Sequence, residues 1–478
     1  LFFSDGNMST MTLCSAVSMA EQIRKKNLSA LELVEAHLAR IEKLNPKLNA
    51  FVRVDSDGAR RQAQHAGQVI SRGMKPGPLH GVPVSIKSSI GVKGLRQEAG
   101  SRLRAGVVAA KDAPLVSRLR NAGAVILGTT NAPELLMAWE TDNLLYGRTN
   151  NPWDLTRTAG GSSGGEAAAI ASGCSAGGVG SDGGGSIRVP AHFCGICGLK
   201  PTPGRIPASG HFPASVGPFA LLGVVGPMAR TVGDLKLLFE VMQGPDDGDP
   251  SAAPVPVLWP AWQNLKKVRI GYFEDDGRTP VTPETRAAVR DAADALQRAG
   301  FDAQPFRPAG LEQARELWWQ FFGVAGAMLL GPLITGREAE LSPILKEFSA
   351  WTAAERPHTA ETLLETWVMR DTLRMQIFEQ MRDFPLLLCP VASIPAFRHG
   401  ERSWVVAGRA VNYLDAWSYS EWFNLLGMPA AVVPLGTSPG GLPIGVQIAA
   451  RPWQEEIVLS VADVLQKECG GWKSPPCD

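Results

Sequence analysis

Residues 159–190, AGGSSGGEAAAIASGCSAGGVGSDGGGSIRVP, are the stretch on which the fold of this 478-residue chain depends. Eleven of these 32 residues are glycine, a density that the interior of a helix or sheet tolerates only at an entropic cost. A flexible linker would be polar throughout, whereas this stretch contains the helix-forming run EAAAIASG at 166–173. The composition therefore indicates a backbone that passes very close to another part of the molecule or to a ligand.

Two short motifs within the stretch suggest different chemistries. Residues 178–183 fit the dinucleotide-binding pattern G-x-G-x-x-G, but the glycines and proline at 184–190 interrupt the long helix that should follow. Residues 160–164, GGSSG, fit the G-x-S-x-G nucleophile elbow, which would make Ser162 the nucleophile of an α/β-hydrolase-type esterase. That hypothesis needs a catalytic histidine, and none of the candidates has an evident catalytic context. The candidates are His192, His211, His358 and His399.

Several longer blocks surround this stretch in a fixed order. They are GVPVSIK at 81–87, NNPWDLTRT at 150–158, AHFCGICGLKPTPGRIP at 191–207, GPMARTVGDL at 226–235, NLLGMPAAVVP at 424–434 and GGLPIGVQIAA at 440–450. Together with the glycine-rich stretch, these blocks resemble the amidase signature family, which includes fatty-acid amide hydrolases and bacterial amidases. The matches extend from about residue 10 to residue 476, so the resemblance covers nearly the whole chain.

The resemblance implies a Ser-Ser-Lys triad in which Ser186 is the nucleophile, Ser162 the bridging serine and Lys87 the base. It implies hydrolysis of amide C–N bonds through an acyl-enzyme on Ser186, and the reaction needs no metal or organic cofactor. The further residues implied are the backbone N–H groups of Gly183, Gly184, Gly185 and Ser186, as an oxyanion hole, and Ser163, Asp182 and Arg188, as supporting residues.

Elementary chemistry requires an unusual lysine in such a triad. Ser186 needs a base that takes its proton and an acid that returns one to the departing nitrogen. Lysine can do both only when it is neutral at rest, although its ordinary pKa is about 10.4. Lys87 ends an apolar run that contains Val82, Val84 and Ile86, and burial lowers the pKa of a lysine. A serine hydroxyl between the two groups can relay the proton because it donates and accepts at once.

Two positions depart from the family pattern. Ser88 stands where many relatives have an acidic residue, and Gly183 stands where many have a larger residue. The glycine predicts an oxyanion loop that is unusually roomy or mobile. Neither change touches the triad, but both are expected to affect the rate and the choice of acyl group.

Outside these motifs, short apolar runs alternate with helical patterns. Such alternation predicts an α/β fold with a large mixed, mostly parallel, twisted central sheet covered by helices on both faces. A capping box at Ser29–Glu32 marks the start of an early amphipathic helix. The predicted strands are 49–54, 81–87, 123–129, 268–273, 385–391, 430–435 and 445–449, and the predicted helices include 113–122, 282–300 and 454–468.

The chain is expected to form one domain over residues 8–478. The Pro-rich stretch 244–264 has strand signals on both sides, so we interpret it as an excursion from that domain and not as a boundary. Residues 1–7 are expected to be a foreign remnant or a disordered tail. The apolar segment 317–334 is interpreted as a buried helix, with association at a membrane surface as the alternative.

Composition excludes several classes of protein. The net charge is +1 and 45% of the residues are hydrophobic, so neither disorder nor electrostatic attraction to nucleic acid or an anionic membrane is expected. Seven scattered cysteines, including the C-x-x-C pair Cys194 and Cys197, predict free or buried thiols in a reducing compartment. Since the N-terminus also lacks the pattern of a signal peptide, the predicted location is the cytoplasm.

The predicted substrate is a small amide or carbamate with an apolar or aryl group, and esters and anilides belong to the same expectation. Residues 212–229 are apolar, and 318–322 are rich in aromatic residues that fit either a pocket or a plain core. One alternative is a partner-dependent amidotransferase component, although a glutamine-specific enzyme would need polar and charged groups around its substrate. The other alternative is the Ser162 esterase. A homodimer is one expected assembly.

Overall fold

The structure is a computed structural model that describes residues 11–477, so the expectation for residues 1–7 lies outside the described residues. The strands are β1 (Phe51–Val54), β2 (Pro83–Lys87), β3 (Val125–Thr130), β4 (Asn150–Asn151), β5 (Asp154–Thr158), β6 (Gly177–Asp182), β7 (Cys197–Lys200), β8 (Val224–Ala229), β9 (Ile270–Tyr272), β10 (Ala303–Pro305), β11 (Leu386–Pro390), β12 (Ser403–Val406), β13 (Arg409–Asn412), β14 (Ala430–Thr437) and β15 (Pro443–Ala450).

The α-helices lie between these strands and at the two ends of the described chain. They are α1 (Ala16–Arg24), α2 (Ala30–Leu48), α3 (Ser56–Ser71), α4 (Pro114–Asn121), α5 (Gly164–Ala171), α6 (Arg188–Cys194), α7 (Pro218–Leu222), α8 (Val232–Met242), α9 (Trp262–Leu265), α10 (Pro283–Arg298), α11 (Ala314–Trp319), α12 (Gly326–Ile334), α13 (Pro343–Ala353), α14 (Ala360–Gln380), α15 (Ser418–Leu425) and α16 (Glu455–Glu468). A π-helical turn, Gln320–Ala325, joins α11 to α12.

Eleven strands form one central sheet in the order β1-β3-β2-β6-β8-β7-β14-β15-β11-β9-β10. Every residue of β15 is buried, and successive side chains of a strand point to opposite faces, so both faces of the sheet are covered there. The predicted mixed sheet between helical layers is confirmed. The β8 and β9 strands, on either side of the stretch 244–264, belong to this same sheet.

The expectation of a mostly parallel sheet is wrong. Four of the ten neighbouring pairs are parallel and six are antiparallel. Parallel neighbours need a crossover of a dozen or more residues, whereas β14 and β15 are joined by the short loop 438–442 and can pair only as an antiparallel hairpin. The sequence pattern located these strands but did not indicate their direction.

Each predicted strand overlaps an observed one, namely β1, β2, β3, β9, β11, β14 or β15. The three quoted helices correspond to α4, α10 and α16, and the capping box at Ser29 and Glu32 is present at the start of α2. No disulfide bond forms among the cysteines of residues 11–477, and Cys194 and Cys197 are fully buried.

The segment 317–334 divides into a buried half and a partly exposed half. Trp318 and Phe321 are buried, whereas Met328 and Leu329 are 54% and 44% exposed. The continuous helical region Leu311–Ile334 is long and apolar enough to cross a membrane by length and composition, but half of its most apolar window is packed inside the structure. The prediction of a buried helix therefore holds for the first half of the segment.

Strand β6 lies between β2 and β8 and contains glycine where neighbouring atoms leave no room for a side chain. A Cβ atom on Gly178 would lie 1.9 Å from Glu166 Oε1 and 2.3 Å from the Ser85 carbonyl oxygen. One on Gly180 would lie 2.8 Å from Ser163 Oγ. Helix α5 and its preceding loop can therefore pack directly against the backbone of the sheet.

Replacing Gly178 by Ala tests this close packing. We expect Gly178→Ala to lower the free energy of unfolding by about 2–3 kcal/mol, because the added methyl group must displace a buried carboxyl or a strand. The measurement is the urea midpoint of the purified variant. The matched control is Gly67→Ala in α3, where no atom lies within 4 Å of the new Cβ and a small stabilisation is expected. Equal midpoints for the two variants would contradict the close packing.

Candidate active site

The predicted site residues come from neighbouring strand ends in the middle of the sheet. Strands β2 and β6 are parallel neighbours, so their carboxyl ends, at Lys87 and Asp182, lie at the same edge. The loop that carries Ser162 precedes α5, and the loop that carries Ser186 precedes α6. The sheet therefore brings together segments that are about 75 and 100 residues apart along the chain.

Lys87 is completely buried and is surrounded by serine hydroxyls. Its Nζ lies 2.7 Å from Ser162 Oγ, 2.9 Å from Ser163 Oγ and 3.0 Å from Ser181 Oγ. Burial lowers the pKa of Lys87 from 10.5 to about 7, and the negative charges of Asp182 and Glu166 oppose this shift without cancelling it. A lysine in this environment can therefore exchange a proton near neutral pH.

Ser186 faces a cavity that it shares with Ser162. The Ser186 side chain is partly exposed, and its hydroxyl has no hydrogen-bond partner among residues 11–477. Its carbonyl accepts the Ser163 N–H at 3.1 Å, which ties the two loops together. Ser162 follows a cis peptide bond from Gly161 and is almost fully buried. The structure thus places Ser162 between the buried lysine and the cavity that exposes Ser186.

Asp182 and Arg188 form a buried ion pair beneath the Ser186 loop. Arg188 donates to both carboxylate oxygens of Asp182, at 3.0 and 3.1 Å. The carboxylate also accepts the N–H groups of Gly185, at 2.7 Å, and Ile187, at 3.0 Å. Burial alone would raise the pKa of Asp182, but Arg188 outweighs it and holds that pKa well below its usual range. The pair therefore determines the path of the backbone on both sides of Ser186.

These hydrogen bonds correct one detail of the predicted oxyanion hole. The Gly185 N–H donates to Asp182 Oδ1, so it is not free to point at a substrate oxygen. Gly185 has a φ of +109°, a conformation that favours glycine and turns the loop back toward Asp182. The N–H groups of Gly183, Gly184 and Ser186 have no partner within the described part of the chain.

The cavity in front of Ser186 is small, with a volume of about 60 Å³, and is mostly apolar. Gly183 does not make it roomy, because a Cβ at this position would lie 2.8 Å from the Phe322 ring. The space that a larger residue would fill is occupied by an aromatic side chain, so the expectation of a roomy loop is wrong. The apolar lining residues are Leu135, Leu136, Met137, Ala208, Pro213, Phe219, Val224, Val225 and Phe322.

Comparison with known proteins identifies the family of the chain. The model of the family Amidase matches residues 32–459. The chain belongs to the amidase family. This finding confirms the family and the enzyme class that the sequence blocks predicted.

Individual amidase relatives match almost the full length of the chain. It is 34% identical to an indoleacetamide hydrolase of Bradyrhizobium diazoefficiens over 95% of this chain and 86% of the relative. It is also 34% identical to a glutamyl-tRNA(Gln) amidotransferase component of Anaeromyxobacter sp. (strain K), over 95% and 96%. Its structure is similar to that of a bacterial aryl acylamidase of the amidase signature family, with a TM-score of 0.85, 27% identity and coverage of 96% and 97%.

Two buried polar residues of this candidate site were not among those predicted from the sequence. Ser181 Oγ contacts Lys87, and Glu166 accepts hydrogen bonds from Ser85 Oγ at 2.5 Å and Thr130 Oγ1 at 2.7 Å. Burial raises the pKa of Glu166 to about 7, and these two hydrogen bonds oppose the rise. The signal in the sequence was Glu166 itself, a single carboxyl group within a run of glycine and alanine. Such a run packs closely against its neighbours, so its carboxyl group is expected to be buried away from water.

The nucleophile-elbow hypothesis lacks its base in this structure. No histidine of residues 11–477 lies within hydrogen-bonding distance of Ser162. His192 contacts the Ile394 carbonyl and the Gly445 N–H, and His211 contacts Ser89 Oγ and the Pro213 carbonyl. Nor do three or more His, Cys, Asp or Glu side chains of the described range form a group that could hold a metal ion.

The buried ion pair is testable through the charge of Asp182. We expect Asp182→Asn to lower the free energy of unfolding by about 3–5 kcal/mol, because Arg188 keeps its charge in the interior without a counterion. The measurement is chemical unfolding of the variant and of the matched control Asp302→Asn. Asp302 pairs with Arg269 on the surface, so its loss is expected to cost less than about 1 kcal/mol. Similar losses in the two variants would contradict a structural role for the buried pair.

Proposed function

We propose that the chain hydrolyses small amides through an acyl-enzyme on Ser186, with Ser162 and Lys87 as the proton relay. The observation that carries the proposal is the contact of 2.7 Å between Ser162 Oγ and a fully buried Lys87 amino group. A neutral amine accepts a proton, and the hydroxyl beside it can accept another from Ser186. Ser186 is the residue of the three that is partly exposed to the substrate cavity.

In the first half-reaction, Ser186 Oγ forms a bond to the carbonyl carbon while its proton moves to Ser162. Ser162 gives its own proton to Lys87 Nζ, and the carbonyl electron pair moves onto oxygen. The unpartnered N–H groups of Gly183, Gly184 and Ser186 are the candidate donors to that oxyanion. As the C–N bond breaks, the Lys87 ammonium returns a proton through Ser162 to the departing nitrogen. Water then repeats the sequence on the acyl-enzyme and releases the acid.

The substrate class that we propose is an amide or carbamate with an apolar or aryl group. Support comes from the lining of the cavity, in which Phe219 and Phe322 meet edge to face with ring centroids 5.9 Å apart. The one carboxylate in the lining, Asp182, is already paired with Arg188. A cavity of this kind favours burial of hydrocarbon over recognition of a charged substrate. The names of the aryl acylamidase and indoleacetamide hydrolase relatives agree with this class.

The amidotransferase alternative has one finding in its favour, which is the equal identity to the glutamyl-tRNA(Gln) amidotransferase component. Against it, glutamine carries an ammonium and a carboxylate, and the cavity has no unpaired charged side chain among the described residues. We therefore propose an enzyme that acts without a different partner chain, as a monomer or homodimer, in the cytoplasm. Cysteines that form no disulfide within residues 11–477 fit a reducing compartment.

The nucleophile can be identified by substitution of each serine. We expect the purified chain alone to release amine from aryl amides and anilides, and Ser186→Ala to reduce this rate by about 10⁶-fold. Ser186→Ala should also abolish covalent labelling by a fluorophosphonate. Ser162→Ala removes the relay but keeps the nucleophile, so it should be labelled slowly at Ser186, as peptide mass spectrometry would show.

Two other results would identify the alternatives. Labelling of Ser186 with no hydrolysis of any amide in the panel would favour an amidotransferase component that needs a partner. Labelling that survives Ser186→Ala and disappears in Ser162→Ala would overturn the proposed triad in favour of the esterase arrangement.

The pH dependence tests the role of Lys87. Its pKa of about 7 means that the neutral base form accumulates as pH rises through that value, so kcat/KM should increase across the same range and then level off. Lys87→Ala should lower kcat/KM by about 10²–10⁴-fold and remove this inflection. The measurement is the profile of kcat/KM between about pH 5 and pH 9 with a neutral anilide.

The chain offers a matched control for this profile. Lys200 is also fully buried, and burial lowers its pKa to about 7, but its Nζ donates to the Pro201 carbonyl and contacts no serine of the triad. Lys200→Met should keep the inflection in the fraction of protein that folds. If the inflection disappears in Lys200→Met and persists in Lys87→Ala, the titrating group is Lys200, and the proposed role of Lys87 is contradicted.

A further inference from the structure

Two tryptophan side chains hold successive carbonyl groups of the glycine loop, Gly183–Gly185. Trp318 Nε1 donates to the Gly183 carbonyl at 2.7 Å, and Trp139 Nε1 donates to the Gly184 carbonyl at 2.8 Å. Both indoles are buried, and their ring centroids are 5.9 Å apart. Neither carbonyl has another hydrogen-bond partner among residues 11–477, so loss of an indole N–H would leave an unsatisfied acceptor, which is partly buried at Gly183 and buried at Gly184.

Peptide planarity transmits this contact to the N–H groups of the loop. The peptide bond between Gly183 and Gly184 is trans, so its N–H points away from the carbonyl that Trp318 holds. That N–H belongs to Gly184 and has no partner within the described residues. The next N–H, of Gly185, is fixed by Asp182 at 2.7 Å. One indole therefore determines the direction of a free N–H beside Ser186.

The packing around the loop agrees with a fixed orientation. A Cβ on Gly184 would lie 2.4 Å from Trp318 Cζ2, so the indole rests directly on the backbone. Trp318 also stacks on Phe322, with ring centroids 4.6 Å apart and planes 15° apart. The two aromatic residues flank the start of the π-helical turn Gln320–Ala325, a local geometry that is frequent at functional sites.

We propose that Trp318 is a positioning residue for the oxyanion hole, acting through the Gly183–Gly184 peptide group. Within the described residues it makes no hydrogen bond to the triad, and its indole N–H fixes the Gly184 N–H in the direction that the developing oxyanion requires. The proposal rests on the proposed function, because the oxyanion exists only if Ser186 attacks a carbonyl. Such a residue contributes to the transition state and contributes little to binding of the ground state.

The test replaces the indole N–H and keeps the ring. In Trp318→Phe we expect kcat for an anilide to fall about 10–100-fold while KM changes less than about threefold, because a misdirected donor weakens only the transition state. An aryl trifluoromethyl ketone, which adds to a serine hydroxyl and forms an oxyanion, should bind more weakly by a similar factor. An unreactive aryl amide analogue should keep its affinity. Trp139→Phe releases the Gly184 carbonyl, but the N–H of that peptide group is still held by Asp182, so kcat should fall less than in Trp318→Phe.

The neighbouring tryptophan is the matched control. Trp319 is buried in the same helix, but its Nε1 donates to Glu355 Oε1 at 3.3 Å and not to the glycine loop. Trp319→Phe should leave kcat and the affinity for the ketone unchanged. If Trp318→Phe is poorly folded, benzothienylalanine at position 318 preserves the bicyclic shape and still removes the N–H donor.

The possible results separate this proposal from the proposed function. Unchanged kcat and unchanged ketone affinity in both position-318 variants would overturn the positioning role and leave the amidase proposal intact. An equal loss of affinity for the ketone and for the unreactive analogue would also overturn it, because Trp318 would then only shape the cavity. A wild-type chain that hydrolyses no amide, or a ketone adduct that persists in Ser186→Ala, would instead refute the proposed function.

Discussion

Burial of the Lys87 amino group in the centre of the sheet is the constraint on which the rest of the site depends. An ammonium group in this position would lose most of its hydration, and serine hydroxyls can partner either the charged or the neutral form of the amine. Three hydroxyls around one nitrogen therefore permit a lysine that changes its charge without a rearrangement of the core. A carboxylate in direct contact would hold the proton on Lys87 and raise its pKa.

Close approach of the chain segments follows from the same constraint. The three serines can converge on Lys87 only if the loop before α5 and the strand β6 lie nearly in contact, and glycine at positions such as 178 and 180 makes this geometry possible. The ion pair of Asp182 and Arg188 then fixes the loop that follows β6. Its two charges compensate each other, so it organises backbone N–H groups without adding a net charge near the lysine.

Much of this arrangement could be predicted from the sequence, and the remainder could not for identifiable reasons. The resemblance to the amidase signature family implied that Lys87 and Ser162 would meet, and apolar runs located seven strands of the central sheet. Strand β6 was missed because its glycines carry no β-strand propensity and their burial depends on neighbours far along the chain. The orientation of the Gly185 N–H and the contact of Trp318 with the glycine loop could not be predicted, because no local sequence pattern shows which side chains lie next to that loop.

The charge state of the site depends on one further buried group. Glu166 and Lys87 both titrate near pH 7, because burial raises the pKa of the acid and lowers that of the amine. Because the charges of Asp182 and Arg188 compensate each other, the site is electrically neutral when Glu166 and Lys87 are both uncharged and also when both are charged. Burial penalises two charges more than none, so the uncharged combination is favoured in the interior. An ionised Glu166 raises the pKa of Lys87, so a protonated carboxyl group at position 166 favours the neutral base.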